Sequence, residues 1–439
     1  MVMICDTGTP LFAETAQRIT AIARADTVRC LLQTAIRAFT SAAVTLAGGA
    51  AFSAVRAQPG RQCNAPAADS IVHVALPANP FTPVVTPDGC WIFVSMIGNN
   101  TGSSAGVAVL SRRGGTIKLE RTVPLRSSGT GAVLTHDGKM LIVAAGASVA
   151  FLDAARLASG HGEPVLGYLN AGEGVGAIYV NVTGDDRTLF VALERASAIL
   201  VVDLARVRAG TFDTTAIVGR IPVGIAPIAL ALSNDQKYMY TTSQAAPPAW
   251  SWPIECRPEA DQTAPPNHTK GAVVVIDVER ARSDPANAAI ARVPVGCNPV
   301  RLVLSPDGNT AWLSVRGEHS LAAMDTRKLL TDSSHALIAK LRVGTAPVGV
   351  AVFDDGKRVV ATNSNRFAGG AEDRQSLNVL DVSSGAASAK LVGTIPAGAF
   401  PRELRVTPDG NTLLATNFAS KTLEIVDLRR LPIEQRRRH

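Results

Sequence analysis

The stretch Gly296-Cys-Asn-Pro-Val-Arg-Leu-Val-Leu-Ser-Pro-Asp-Gly-Asn-Thr-Ala-Trp-Leu-Ser-Val315 decides the fold. It reads as a crossover ending in Pro299, an apolar strand, a Pro-Asp-Gly turn and a second strand. After a short loop, Ser320-Leu-Ala-Ala-Met-Asp325 supplies a third. Asp can bond the backbone of a tight turn and Gly accepts positive φ, so Asp-Gly between two apolar runs marks a hairpin. Near-copies recur as Thr86-Pro-Asp-Gly89, His136-Asp-Gly138, Gly184-Asp-Asp186, Asn234-Asp-Gln236, Asp354-Asp-Gly356 and Thr407-Pro-Asp-Gly410. The central residues Asp88, Asp137, Asp185, Asp235, Asp307, Asp355 and Asp409 stand 48 to 54 residues apart, apart from one interval of 72. Seven copies at that period point to a solenoid or a propeller.

The rest of each copy selects the propeller. Third strands mostly end in Asp, as in Ala150-Phe-Leu-Asp153, Leu200-Val-Val-Asp203, Val274-Val-Ile-Asp277, Val379-Leu-Asp381 and Ile425-Val-Asp427. Fourth strands run into crossovers such as Val223-Gly-Ile-Ala-Pro227, Val295-Gly-Cys-Asn-Pro299 and Val343-Gly-Thr-Ala-Pro347, with Ala397-Gly-Ala-Phe-Pro401 a close variant. Four short β-branched strands per repeat, bounded by Gly and Pro, describe a propeller blade. The expectation is an all-β, seven-bladed β-propeller of four-stranded antiparallel blades over residues 70–430. The seventh copy has no fourth strand, whereas Ile71-Val-His-Val-Ala-Leu76 is a fourth strand without a repeat. Docking that N-terminal strand onto the last blade would close the ring and leave no open edge.

The pattern resembles the YVTN-repeat β-propeller family, on the stretches Pro347-Val-Gly-Val-Ala351, Ala361-Thr-Asn363, Ala415-Thr-Asn417 and Val274-Val-Ile-Asp277. The Tyr-Val-Thr-Asn signature itself is degenerate, with Tyr240-Thr-Thr-Ser243 its nearest form. The resemblance implies a seven-bladed propeller in a superfamily of binding proteins, lactonases resembling 6-phosphogluconolactonase, and subunits of quinoprotein amine dehydrogenases. Fold alone does not choose among these.

Composition bounds the classes. The 439 residues are 46% hydrophobic and 18% charged, with 37 Gly and 26 Pro, which excludes a disordered or long-helix protein. The net charge is +7, and the basic tail, residues 431–439, reads as solvated, so nucleic acid is not an expected partner. Ala38 to Val55 is an uncharged run of small apolar residues preceded by Arg29 and Arg37 and followed by Arg56-Ala57. Residues 1–57 therefore read as a secretory signal, residues 58–69 as a polar leader, and the mature chain as periplasmic or secreted. Membrane contact is expected only through that segment if it is not cleaved. In an oxidising compartment the four remaining cysteines, Cys63, Cys90, Cys256 and Cys297, suggest two disulfides with three connectivities open.

A propeller divides its connections between two faces. Asp-Gly turns lie on one. The second-to-third-strand loops and the Pro crossovers lie on the other, around the mouth of the central channel. An insertion in blade 4, residues 244–271, accounts for the long interval and belongs to the mouth face with Cys297. That pairs Cys256 with Cys297 and leaves Cys63 with Cys90 on the opposite face. The insertion also carries Trp250 and Trp252, flat apolar rings suited either to a ligand platform or to packing on the blade. Arg301 and Arg402 follow crossover prolines at the channel rim, where two guanidinium groups could hold a carboxylate or phosphate. Asn99, Asn100, Glu194, Arg195, Arg316, Glu318, His319, Asn363, Asn365, Arg366 and Asn417 complete a polar rim.

The leading expectation is a binding or interaction module with a small-molecule or protein ligand at the mouth, held by Arg301, Arg402, Trp250, Trp252, Arg316, His319, Asn363, Arg366 and Asn417. The alternative is a lactonase-like hydrolase of a small cyclic ester, with Glu194, Glu318, His319 and Glu403 as candidate bases. Gly102-Ser-Ser-Ala-Gly106 matches a nucleophile elbow but precedes no helix. The seven His are dispersed without zinc spacing, so neither a metal nor a cofactor is expected.

Overall fold

The computed structural model describes residues 63–98, 105–366 and 375–433. The signal-like run, Asn99, Asn100, residues 102–104 of the Gly-x-Ser-x-Gly stretch and residues 434–439 of the tail lie outside the described residues. No helix among the described residues is long and apolar enough to cross a membrane.

Seven antiparallel sheets form the blades. Blade 5 shows the plan: Pro299–Leu304 lines the channel, Thr310–Val315 and Ser320–Asp325 follow, and Leu337–Arg342 is outermost. Blade 4 departs from it, because its innermost strand is split into Ile225–Pro227 and Ala231–Leu232. In blade 7, Pro401–Val406, Thr412–Asn417 and Thr422–Asp427 are followed outward by Ile71–Ala75, with Ile71 opposite Val426 and Ala75 opposite Thr422.

The repeated sequence features have physical causes. In the turns a Ser or Thr hydroxyl two residues before the Asp donates to its carboxylate, as Thr86 to Asp88 at 2.5 Å and Thr135 to Asp137 at 2.6 Å. The amide two residues beyond donates to the same oxygen, as Lys139 to Asp137 at 3.1 Å. The Asp ending a third strand caps a short helix. Asp153 accepts from the Arg156 amide at 2.9 Å and Asp277 from the Arg280 amide at 2.8 Å, satisfying donors that a helix start leaves free. Apolar side chains alternate between blades, so Trp312 of blade 5 packs with Val359 and Ala361 of blade 6.

One further repeat locks blade to blade. A hydroxyl on each of five second strands accepts from an amide of its own innermost strand. Four of these hydroxyls also donate to the next blade's innermost backbone. Thr242 accepts from Ala229 at 3.1 Å and donates to the Val300 carbonyl at 2.7 Å. Ser314 serves Arg301 and Val348, Thr416 serves Glu403 and Phe81, Ser95 serves Thr82 and Thr130, and Thr362 accepts from Gly349. A second-strand Ser or Thr is thus the inter-blade clamp.

Candidate functional site

The clamps align the seven innermost strands residue by residue. The position after the crossover proline or its equivalent is Phe81, Thr130, Ile178, Ile228, Val300, Val348 and Arg402 in blades 1 to 7. The next is Thr82, Gly131, Tyr179, Ala229, Arg301, Gly349 and Glu403. In blades 1, 5, 6 and 7 these two positions lie within a β-bulge that follows the proline, which re-aims their side chains at the mouth.

In the first layer Ile228, Val300 and Val348 are buried together, with Ile178 and Phe400 packed on them. They form an apolar plug, and Arg402 is the one charged member of the layer. In the second layer Arg301 is 4% exposed and forks onto Glu403, its Nε 2.7 and 2.9 Å from the two carboxylate oxygens and its Nη2 also donating. Tyr179 stacks 4.3 Å from the Arg301 guanidinium. Burial alone would lower the basicity of Arg301, and the Glu403 carboxylate more than reverses this. Beneath the pair the channel opens into a cavity of about 250 Å³ lined by Tyr179, Asn181, Arg301, Glu403 and Arg405 among others.

Arg402 is in a different state. Its guanidinium lies 4.0 Å from the Phe81 ring centroid, 5.6 Å from Phe418 and 5.7 Å from Phe400, and its buried Nε has no hydrogen-bond partner among the described residues. Burial first, and then the neighbouring Arg301 charge, lower its pKa to about 9. The group remains a cation at neutral pH, and the shift measures a charge short of a counter-ion. The rings are fixed in place: Phe400 and Phe418 are 5.3 Å apart, the Phe418 amide donates to the Phe400 carbonyl at 2.8 Å, and Asn79 Nδ2 donates to the Phe418 carbonyl at 2.8 Å.

The two arginines therefore do not share one anion-binding fork. Arg301 lies two residues past its proline and Arg402 one, a one-residue offset that separates them into layers. The other expected rim residues are distributed as follows. Arg316, 8% exposed, binds Glu259 of the insertion at 2.6 and 2.7 Å and Gln244 at 2.9 Å. His319 Nδ1 accepts from the Ala346 amide at 3.1 Å. Asn363 and Asn417 are buried in the scaffold. Asn363 accepts from Gly344 and donates to Ser376 and Asn378, and Asn417 donates to Thr422 and Glu424. Trp250 and Trp252 pack 5.2 Å apart against the core shared by blades 3 and 4, with Arg292 over Trp250. Arg366 stands within electrostatic reach of Arg316, Glu259 and Glu194.

Of the carboxylates here, Glu403 and Glu259 are forked onto arginines, and Glu318 bonds Lys340 and the Cys297 amide. Glu194, in the second-to-third-strand loop of blade 3, has no hydrogen-bonded cation among the described residues and acts electrostatically on both Arg301 and Arg366. Both expected disulfides are formed, Cys63 with Cys90 and Cys256 with Cys297. Among the described residues no group of three His, Cys, Asp or Glu could hold a metal ion. Sequence reasoning missed the phenylalanines around Arg402. Phe400 was the available signal, because it stands where other crossovers carry Ala226, Asn298 and Ala346, and all four have positive φ.

The family model described as Lactonase, 7-bladed beta-propeller matches residues 273–430. No curated protein matches the chain in sequence. Solved structures share its fold. Hydrazine synthase from Kuenenia stuttgartiensis is 18% identical with a TM-score of 0.58, over 83% of this chain and 98% of that one. A putative 6-phosphogluconolactonase from Bacteroides uniformis is 17% identical with a TM-score of 0.60, over 79% and 95%. Another from Bacteroides fragilis is 13% identical with a TM-score of 0.60, over 79% and 94%. The chain is an all-β seven-bladed propeller, and its residues 273–430 are similar to the lactonase propeller model.

Proposed function

We propose that this propeller is a lactonase-like hydrolase that opens a small anionic cyclic ester at the crossover-face mouth of its channel. The observation that carries the reading is Arg402, a guanidinium held in a phenylalanine cage with a buried Nε–H that has no acceptor among the described residues. A fixed, under-compensated cation at the mouth of a preformed channel is a receptor for an organic anion. The family match over residues 273–430 supports ester-ring opening as the reaction.

In that reaction water adds to the ring carbonyl, the ring C–O bond breaks, and the proton lost by water reaches the departing alkoxide, giving a hydroxy acid. Among the described residues Glu194 is the carboxylate free of a hydrogen-bonded cation beside the arginines, which makes it the candidate base. Glu403 is excluded from that role by its fork with Arg301, and Arg402 orients the anion. The two disulfides support export to an oxidising compartment.

A second reading, binding without turnover, is favoured by the engagement of Glu259, Glu318 and Glu403 with cations. A screen of anionic lactones separates the two. Hydrolysis by the wild type that falls on the order of a hundredfold in Glu194→Gln supports the enzyme. No ring opening, with tight binding of the matching hydroxy acids, leaves a binding protein.

A further inference from the structure

Given a mouth that receives an anion, the surroundings of its cation bear on the rest of the ligand. Arg402 is bordered by Phe81, Phe400 and Phe418 and by the plug of Ile228, Val300 and Val348. These side chains offer no hydrogen bonds. Asn363 and Asn417, expected on the rim, are buried and bonded within the scaffold. Arg316 is forked onto Glu259 and His319 Nδ1 accepts a backbone amide. A polyhydroxylated ligand against this floor would lose hydration at several hydroxyls and recover little, whereas an apolar body loses nothing on leaving water.

The backbone adds an independent indication. The residue before the crossover proline is left-handed in blades 4 to 7, with φ of 50° at Ala226, 53° at Asn298, 50° at Ala346 and 55° at Phe400. Asn tolerates this region and Ala is small, but a bulky aromatic is rarely held there. Blade 7 alone of the four places a bulky aromatic in that region, and it does so at the residue whose ring flanks Arg402. Strained backbone persists where surrounding structure overdetermines it and is concentrated at ligand clamps.

We infer that the mouth selects organic monoanions with an apolar or aromatic body, and discriminates against sugar acids and sugar phosphates. The carboxylate would pair with the Arg402 guanidinium, and the body would lie on Phe400, Phe418 and the aliphatic plug. This inference rests on the anion-receptor reading above and narrows its substrate class.

The test is titration calorimetry of the full purified chain with phenylacetate, gluconate and 6-phosphogluconate. Phenylacetate is expected to bind at least about tenfold more tightly than either hydroxylated acid, a discrimination that an apolar contact surface can supply. Arg402→Gln is expected to abolish binding of phenylacetate, and Phe400→Asn to remove its preference over gluconate. If Arg402→Gln does not fold, Arg402→Lys keeps the charge without the flat face, and its preference for phenylacetate is expected to fall in the same way. Gluconate or 6-phosphogluconate binding as tightly as phenylacetate overturns the inference and leaves the anion receptor standing. Undiminished phenylacetate binding by Arg402→Gln also overturns it. A wild type that binds none of the three overturns both readings.

Discussion

Arg301 of blade 5 and Glu403 of blade 7 meet as a buried bidentate ion pair, spanning past Gly349, which holds the equivalent position in blade 6. The glycine is obligatory for a local reason, since a Cβ there would stand 2.5 Å from the Arg402 carbonyl oxygen. Three blades are thereby tied together directly beneath the proposed ligand floor. The pair commits the Glu403 carboxylate to Arg301, so Glu403 acts on Arg402 only through space.

Glu403→Gln should destabilise the chain by about 3–5 kcal/mol, because it strands the Arg301 charge in the interior. Replacing both partners by Arg301→Met with Glu403→Leu should restore most of that loss. Chemical denaturation of the two variants checks this. A double variant no more stable than the single would show that the pair holds more than its own charges.

The closing strand carries a pH dependence. His73 lies opposite Glu424 in the register of blade 7 and is 3.3 Å from its carboxylate, and that hydrogen bond raises the His73 pKa above its ordinary value. A raised folded-state pKa means stability fully present below the unfolded value of about 6.5 and lost as pH rises through the folded one. The wild type should therefore be more stable relative to His73→Gln at about pH 5 than at about pH 8, because the contribution is lost as pH rises through the raised folded value. Thermal melts at the two pH values provide the comparison. An advantage that grows with pH would contradict the assignment.

The Cys256–Cys297 bond joins the insertion to the blade 4 crossover and closes a span of 41 residues. Substituting both by Ala should remove about 2–4 kcal/mol and free the insertion while the blades persist. Limited proteolysis should then cut within residues 244–271 first. Cleavage spread evenly over the blades would mean that the insertion holds the ring itself together.

The fold was legible because each blade repeats the same few demands. A turn needs Asp and Gly, a clamp needs a hydroxyl such as Thr242 or Thr416, and a helix start needs Asp153 or Asp277. Repetition made the turns and the strand-end Asp residues visible without any structure and assigned the cysteines to faces, whereas the clamp hydroxyls and the helix starts are seen only in the hydrogen bonds. The site was legible only as a region. Arg301 and Arg402 read alike beside their prolines, yet the bulge and a one-residue offset send one to an ion pair and the other to a ring cage. Asn363, Asn417, Trp250 and Trp252 look like rim residues by type, but their partners are scaffold atoms. Phe81 lies over three hundred residues from Phe400 in the chain, so their convergence on Arg402 follows from ring closure and from no local pattern.

Phe400→Asn sets backbone strain against ring contacts. A left-handed bulky residue costs about 1–2 kcal/mol, and the Phe400–Phe418 contact contributes about 1 kcal/mol in return. The variant should unfold within about 1 kcal/mol of the wild type while losing its preference for phenylacetate. Denaturation and calorimetry on the same preparation check both halves. A large loss of stability with unchanged preference would make Phe400 a packing residue only.

Thr416 links the blade junction to the site. Its hydroxyl accepts from the Glu403 amide at 3.1 Å and donates to the Phe81 carbonyl at 2.9 Å, so it fixes the two backbone segments that present Arg402 and Phe81. Thr416→Val keeps the shape and removes the hydroxyl, leaving a buried donor and a buried acceptor unpaired, at about 1–3 kcal/mol. Thr416→Ser keeps the hydroxyl and loses one methyl group, at roughly 1 kcal/mol or less. If the cage geometry around Arg402 depends on this junction, Thr416→Val should also weaken phenylacetate binding, whereas Thr242→Val, the same substitution at the junction of blades 4 and 5, should destabilise comparably and leave affinity nearly unchanged. Equal losses of affinity in the two valine variants would tie binding to global stability rather than to the alignment of Phe81 with Arg402.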